Sequence, residues 1–249
     1  MLKLKDKIAV ITGGNSDVGI ATARELRAHG ARVAIIDRTP WTASSAARDI
    51  AGDTLAVAAD ISNVADIDRA FQVVRESLGR IDVLFVNAGI GKFAMLADSS
   101  EALFDEITNT NYKGAYFTVQ RALPLLTEGA SIIFRSTAAV YFGVPGASIF
   151  ASGKAALNSL AKTLALELAT KKIRVNVVTS GPLSMPIMSR IGMPKERLEL
   201  GTAGFAADVP LGRFGEAEEI ANAVTYLSSA ENAGFTGIEL ILDGGLSQS

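Results

Sequence analysis

The sequence predicts an α/β protein whose parallel, doubly wound sheet is enclosed by helices in three α/β/α layers. Short runs that are apolar on both faces recur along the chain, each is followed by helical spacing, and the first ends in a glycine-rich turn that opens a helix. Residues 8–11 are that first strand, Thr12-Gly13-Gly14-Asn15-Ser16-Asp17-Val18-Gly19-Ile20 the turn and helix start, and the helical pattern runs through Leu26 to Gly30. Residues 31–36 read as a second strand ending in Asp37-Arg38, 42–51 as a helix, and 54–59 as a third strand ending in Asp60. Ile67, Phe71, Val74 and Leu78 mark a helix over 64–78, and 81–86 is a fourth buried strand closed by Asn87-Ala88-Gly89.

The alternation continues. Residues 100–126 hold a long helix, or a broken pair, carrying Asn111; 130–135 are a fifth strand, 148–170 a helix and 173–178 a sixth strand. Between 184 and 210, Gly192, Pro194, Gly201 and Gly204 interrupt short helical pieces rich in Met and Leu. That stretch suits a lid over an apolar ligand, or alternatively a subunit-packing segment. Residues 216–229 form the last helix and 238–242 a last strand before Asp243-Gly244-Gly245. No repeat or low-complexity linker divides the chain, so 1–249 reads as one domain.

Composition excludes several classes of function. At 249 residues, 49% hydrophobic and 20% charged, the chain buries a large core. A net charge of −2 without any basic block offers no footprint for nucleic acid or an anionic membrane. The absence of cysteine removes disulfides and thiolate metal sites, and the lone His29 builds no zinc cluster, so no metal is expected. The first seven residues lead straight into a strand, and no apolar run reaches membrane-spanning length. A cytoplasmic protein is expected, with a small molecule or another subunit as its partner.

The glycine turn is either a phosphate cradle or a tight connection with no ligand. Glycines let a pyrophosphate approach the backbone, and a helix N-terminus supplies partial positive charge. Asp37, at the end of the second strand, favours the cradle: a carboxylate there accepts hydrogen bonds from an adenosine ribose and repels a 2′-phosphate, whereas Arg38 beside it tolerates one. NAD is therefore expected over NADP. Asp17 opposes a pyrophosphate by its charge, or else serves as a first-turn charge on the helix. Phe150-Ala151-Ser152-Gly153-Lys154 opens the helix after the fifth strand, and four-residue spacing puts ring and ammonium on one face.

Taken together, these motifs resemble the short-chain dehydrogenase/reductase family over essentially the whole chain. Thr12-Gly13-x-x-x-Asp17-x-Gly19 resembles the family's Thr-Gly-x-x-x-Gly-x-Gly, and Asn87-Ala88-Gly89 its Asn-Ala-Gly. Asp60 resembles the acid near the adenine, Asn111 the Asn that links the catalytic Lys to solvent, and Gly181-Pro182 the turn beside the nicotinamide. Thr236-Gly237 with Asp243-Gly244-Gly245 resembles the C-terminal signature. The resemblance implies a Rossmann-type sheet of about seven strands, NAD or NADP as cofactor, an alcohol or carbonyl substrate, and a homotetramer or homodimer. It implies cofactor contacts at Gly13, Asn15, Asp17, Val18, Gly19, Asp37, Arg38, Asp60, Ile61, Asn87, Ala88, Gly89, Lys154, Gly181, Pro182 and Leu183.

Departures from the family pattern fall around the chemistry. The family's Tyr-x-x-x-Lys is Phe150-x-x-x-Lys154 here, and thirteen residues earlier stands Thr137, with Ser136 as an alternative hydroxyl. Asn111, Thr137, Phe150 and Lys154 thus form the expected catalytic set, with the phenolic proton donor replaced by Phe150. Positioned acid–base groups are worth about 10²–10⁴ in rate, so the expected oxidoreductase is an impaired one with a degenerate active site. A non-catalytic relative that binds a ligand or supports an oligomer is the alternative, and other chemistry in the same pocket a third. Asp17 and Met185, each replacing the family's usual residue, are expected to weaken the dinucleotide; Ser180 is a further departure. Tyr141 is a substitute acid or an aromatic wall beside Phe142.

Overall fold

The computed structural model describes residues 3–50, 52–184 and 208–248. Among them, seven parallel strands form one sheet in the order β3-β2-β1-β4-β5-β6-β7. The strands are β1 Ile8–Thr12, β2 Arg32–Asp37, β3 Leu55–Ala58, β4 Ile81–Val86, β5 Leu126–Thr137, β6 Arg174–Ser180 and β7 Glu239–Leu242. Their apolar runs are double-sided because both faces are covered. On β1, Val10 points into one core while Ala9 and Ile11 point into the other, the alternation that a period of two residues dictates.

One face carries α1 (Asp17–Ala28) and α2 (Pro40–Ile50), with a terminal helix described below; Val18, Ala23, Leu26, Ala46 and Ile50 lie in that core. The opposite face carries α3 (Val64–Leu78), α4 (Glu101–Thr108), α5 (Gly114–Ala122) and α6 (Ser148–Glu167). Ile67, Phe71, Val119, Leu157 and Ala161 fill the core there. The terminal helix, α7 (Ala217–Ser228), starts in a capping box in which Glu216 and Glu219 each accept from the other's backbone, and returns beside α1. The three-layer α/β/α architecture matches the fold expected of the sequence.

The long helix expected over 100–126 is a broken pair. A widened turn at Asn109–Lys113 separates α4 from α5, and its Asn111 is fully buried. Such widened turns inside helices arise where a side chain is needed off the regular register. The fifth strand starts at Leu126, earlier than expected, because the β4–β5 register shifts between Ile81 and Val83 and admits the extra residues. The stretch expected to form a lid lies largely outside the described residues.

The strand order reverses between β1 and β4. Thr12 is in register with Ile36 of β2 and Val86 of β4, so the segments after all three strands leave the sheet side by side. Thr12 Oγ1 accepts from the N–H groups of Asn87 and Ala88 at 3.1 Å each, tying the two central strand ends together. Ligands of open α/β sheets bind at such a reversal, beyond the carboxyl ends of the strands.

Candidate active site

A cleft of about 610 Å³ opens there, within the range of small-molecule sites. Its walls come from the ends of β2, β4, β5 and β6 and from the starts of α1 and α6. A smaller depression of about 400 Å³ on the α1–α7 side, bordered by Leu240 and Leu242 of β7, holds His29, which pairs with Glu25 at 3.1 Å.

The first wall is the glycine turn. Gly13 has φ +68°, and a Cβ on it would lie 2.8 Å from Ala88 Cα; a Cβ on Gly19 would lie 2.3 Å from the Gly13 carbonyl. The two glycines therefore let β1 and β4 approach each other and let α1 begin immediately beneath them. Ser16 caps α1 by accepting from Gly19 N–H at 3.0 Å, and Ser16, Asp17 and Val18 face the cleft. Asn87 holds the turn from the other side. Its Nδ2 donates to Thr12 O and Gly13 O at 3.0 Å and to Ser16 Oγ at 3.1 Å.

Asp37 accepts from the N–H of Asn15 and of Arg38, both at 2.9 Å, so its carboxylate shapes the turn beside it. Asp60 does the same in its own loop, accepting from Ser62 N–H and Oγ, while Ile61 is buried. Of these, Arg38 lines the cleft and Asp37, Asp60 and Ile61 do not. Gly181 and Leu183 line the far wall with Ser180, at the end of β6 beyond Thr137 of β5.

The second wall brings together Asn111, Thr137, Phe150 and Lys154 from three elements. Asn111 Oδ1 accepts from Ile90 N–H at 2.8 Å and its Nδ2 donates to Ile90 O at 2.9 Å, which is why the helix widens at that residue. A Cβ on Gly89 would lie 3.1 Å from Asn111 Oδ1 and 3.4 Å from Lys154 Nζ, so the two side chains converge on that glycine. Lys154, 5% exposed, donates to the Arg135 carbonyl at 2.9 Å. Burial, and then the nearby Arg135 charge, push its ammonium down to about 7. Thr137 lines the cleft with Ser136 beside it, and its Oγ1 accepts from Ala139 N–H at 3.4 Å. Phe150 packs against Phe93, ring centroids 5.6 Å apart and tilted by 56°, giving the cleft an apolar wall.

Spacing along the sequence does not reveal Arg135, Phe93 or Ile90 as members of the site. Arg135 carries one available signal: a cation at the end of an apolar strand, two residues before Thr137 and so on the same face.

The geometry is that of a known group of proteins. A family profile described as enoyl-(acyl carrier protein) reductase matches residues 13–247. The chain belongs to the short-chain dehydrogenase/reductase family. It is 34% identical to a 3-oxoacyl-[acyl-carrier-protein] reductase of Thermotoga maritima, over 98% of this chain and 99% of that one. It is also 34% identical to an L-rhamnose 1-dehydrogenase (NAD(P)(+)) of Azotobacter vinelandii, over 98% and 97%. The structure of 3-ketoacyl-(acyl-carrier-protein) reductase from Brucella melitensis complexed with NADH superposes with a TM-score of 0.89 at 31% identity, covering 98% of this chain and 99% of that one.

The expectation that Phe150 leaves this family member without its proton donor is corrected. A tyrosine is present: Tyr141, one turn after Thr137, donates its hydroxyl proton to Glu239 Oε2 at 2.5 Å. Tyr141 rather than residue 150 stands as the phenol of the site. Spacing from Lys154 along α6 points to position 150, whereas Tyr141 stands in the turn after β5 and is anchored across to Glu239, the first residue of β7. Burial, and then the Glu239 hydrogen bond, push the hydroxyl up to about 12, so it carries its proton at neutral pH. The expected impairment, the degenerate site and the non-catalytic alternative are accordingly set aside.

Proposed function

We propose that the protein is an NAD(P)-dependent oxidoreductase that interconverts an alcohol and a carbonyl, acting as a single domain with the cofactor at the glycine turn and the substrate beside Phe93 and Phe150. The observation that carries this is the convergence of Lys154 and Asn111 on Gly89, across the cleft from the first turn of α1. The residues present fit a dinucleotide. The turn from Gly13 to Gly19 is shaped by its own backbone contacts, Ser16 to Val18 present a helix N-terminus to the cleft, and Arg38, Arg135 and Lys154 give the walls positive charge. Bound there, such a cofactor supplies or accepts the hydride.

The chain's own groups handle the oxygen and its proton. Thr137 Oγ1, which accepts from Ala139, keeps its own O–H to donate to a substrate oxygen. Tyr141, protonated at neutral pH, holds the proton for a nascent alkoxide. Lys154, with its depressed pKa, passes between charged and neutral forms near pH 7. The aromatic wall favours substrates with an apolar body. Relatives of equal identity are named for a carrier-protein-linked oxoacyl group and for a sugar, which supports the class of reaction rather than one substrate.

Asp37 supports a preference for NAD over NADP, with Arg38 leaving the latter admissible, and Asp17 taken alone weakens the pyrophosphate site. Met185, the other residue expected to weaken binding, lies outside the described residues. Among those described, no helix is long and apolar enough to cross a membrane. A cytoplasmic homotetramer or homodimer is the assembly the family resemblance supports, and Phe104, Tyr112 and Tyr116 along α4 and α5 are exposed apolar groups available to it. Calorimetric titration with NADH and NADPH, followed by turnover assays over ketones and alcohols, tests the function. Saturable binding with turnover is expected; no binding at millimolar cofactor overturns it.

A further inference from the structure

Arg135 takes no part in moving the proton, and beyond adding positive charge to the cleft it has been given no partner, yet it is an expensive residue to place where it stands. It follows Phe134 on β5, faces the cleft, and is desolvated enough that burial lowers its guanidinium to about 10. A cation confers nothing on an apolar strand end, so its position calls for negative charge nearby. Asp17 supplies part of it: its carboxylate, on the opposite cleft wall at the start of α1, favours the charged form of Arg135. Arg135 Nη1 also donates to Asn87 Oδ1 at 3.2 Å, and the amide of the same Asn87 binds Thr12 O, Gly13 O and Ser16 Oγ. The guanidinium is thereby tied, through one side chain, to the turn that would hold a phosphate.

We propose that Arg135 and Asp17 act as one charge pair in the phosphate cradle, Arg135 contacting the pyrophosphate of a bound dinucleotide and offsetting the Asp17 carboxylate that would otherwise repel it. The proposal rests on the dinucleotide reading above. It accounts for both unusual residues together: an acid in the first turn of α1 opposes an anionic ligand, and a cation reaching the same cleft from β5 restores the sign of the field. A planar fork is also the donor geometry that two phosphate oxygens accept. Arg135 is a binding residue here, and Asp17 positions it.

Calorimetry with NADH and with inorganic pyrophosphate on the full chain, for wild type, R135M, R135K, D17N and D17N/R135M, tests the pair. Losing a charge-assisted contact while leaving Asp17 in place should weaken NADH by about tenfold or more in R135M. R135K should lie between R135M and wild type, and inorganic pyrophosphate should compete with NADH on wild type and follow the same order. D17N in the R135M background should recover most of the loss, so that the two substitutions are not additive. Thermal midpoints without ligand separate a structural role: a lowered midpoint with an unchanged NADH Kd in R135M overturns the proposal, and so does strict additivity. If R135M does not fold, R135K carries the test, an NADH Kd within about twofold of wild type refuting the contact. An effect confined to turnover of an anionic substrate assigns Arg135 to the substrate instead and also refutes it. If wild type binds neither cofactor, the oxidoreductase function fails and this pair with it; wild-type binding that ignores R135M refutes the pair alone.

Discussion

The two walls of the cleft are built by different means. Around the β1–α1 turn, polar side chains are used on the backbone of their own neighbourhood. Asp37 binds Asn15 N–H, Asp60 binds Ser62, Ser16 caps α1, and Asn87 staples the strand ends. Each such bond contributes about 1 kcal/mol net, and together they hold a turn in shape. Around β5 and α6, the ionisable groups come from distant elements and sit far from their ordinary ionisation: the buried Lys154 near 7, Arg135 near 10, and the half-exposed Tyr141 near 12 beside Glu239. The first wall is a turn held rigid by its own polar contacts, which the proposed function makes a scaffold for an anion, whereas the second is a set of groups whose protonation depends on what surrounds them. Substitutions at Tyr141 and Lys154 should therefore act on rate and pH dependence, whereas those on the first wall, and at Arg135 which reaches across to it, should act on affinity.

The contrast is broken most directly at Tyr141. Replacing a positioned acid–base group costs about 10²–10⁴ in rate, so Tyr141→Phe should lower kcat by that factor while leaving cofactor affinity within about threefold. The variant keeps the ring and removes only the hydroxyl that donates to Glu239. A kcat within about threefold of wild type would remove the phenol from the chemistry and leave Lys154 and Thr137 as the only groups of this wall that act on the proton.

Lys154 offers a smaller effect that is read without any substrate. Its pKa is depressed from 10.5 to about 7 in the folded protein. Between those values the unfolded chain holds a proton that the folded one has lost, so stability rises with pH through that window, by at most about 1.4 kcal/mol per pH unit. Below about 7 the cost of the buried ammonium is fully present. Urea unfolding of wild type and Lys154→Met from neutral pH upward should show wild type gaining on the variant. Parallel curves would mean that Lys154 is hydrated, and the second wall would lose its distinction from the first.

How far each wall could be foreseen follows from the same contrast. The glycine turn, Asp37 and Asn87 each belong to a short contiguous motif closing an apolar strand, so the motifs are legible although the bonds that join them span 22 residues for Asp37–Asn15 and 75 for Asn87–Thr12. The alternation of strands and helices was equally plain, and the sheet order confirms it. Arg135, Phe93 and the Asn111–Ile90 clamp depend on which strands become neighbours, which spacing does not state. Tyr141 is hidden for a related reason: the four-residue interval from Lys154 falls on Phe150, while the phenol's partner, Glu239, lies 98 residues away on β7.

The smallest expected effect belongs to the first wall, at Asp37. Its carboxylate already accepts two backbone N–H groups, and Asp37→Ala should cost about 1 kcal/mol or a little more of stability as those donors turn to water. An ionised oxygen has lone pairs beyond the one used, so the same carboxylate can still meet a ribose hydroxyl. If it does, Asp37→Ala weakens NADH and strengthens NADPH, moving the ratio of their Kd values by about tenfold. Were both constants to shift together, Asp37 would serve the turn alone and cofactor choice would pass to Arg38, which lines the cleft. Either result separates shaping the cradle from reading its ligand, two roles that the first wall otherwise combines in one side chain.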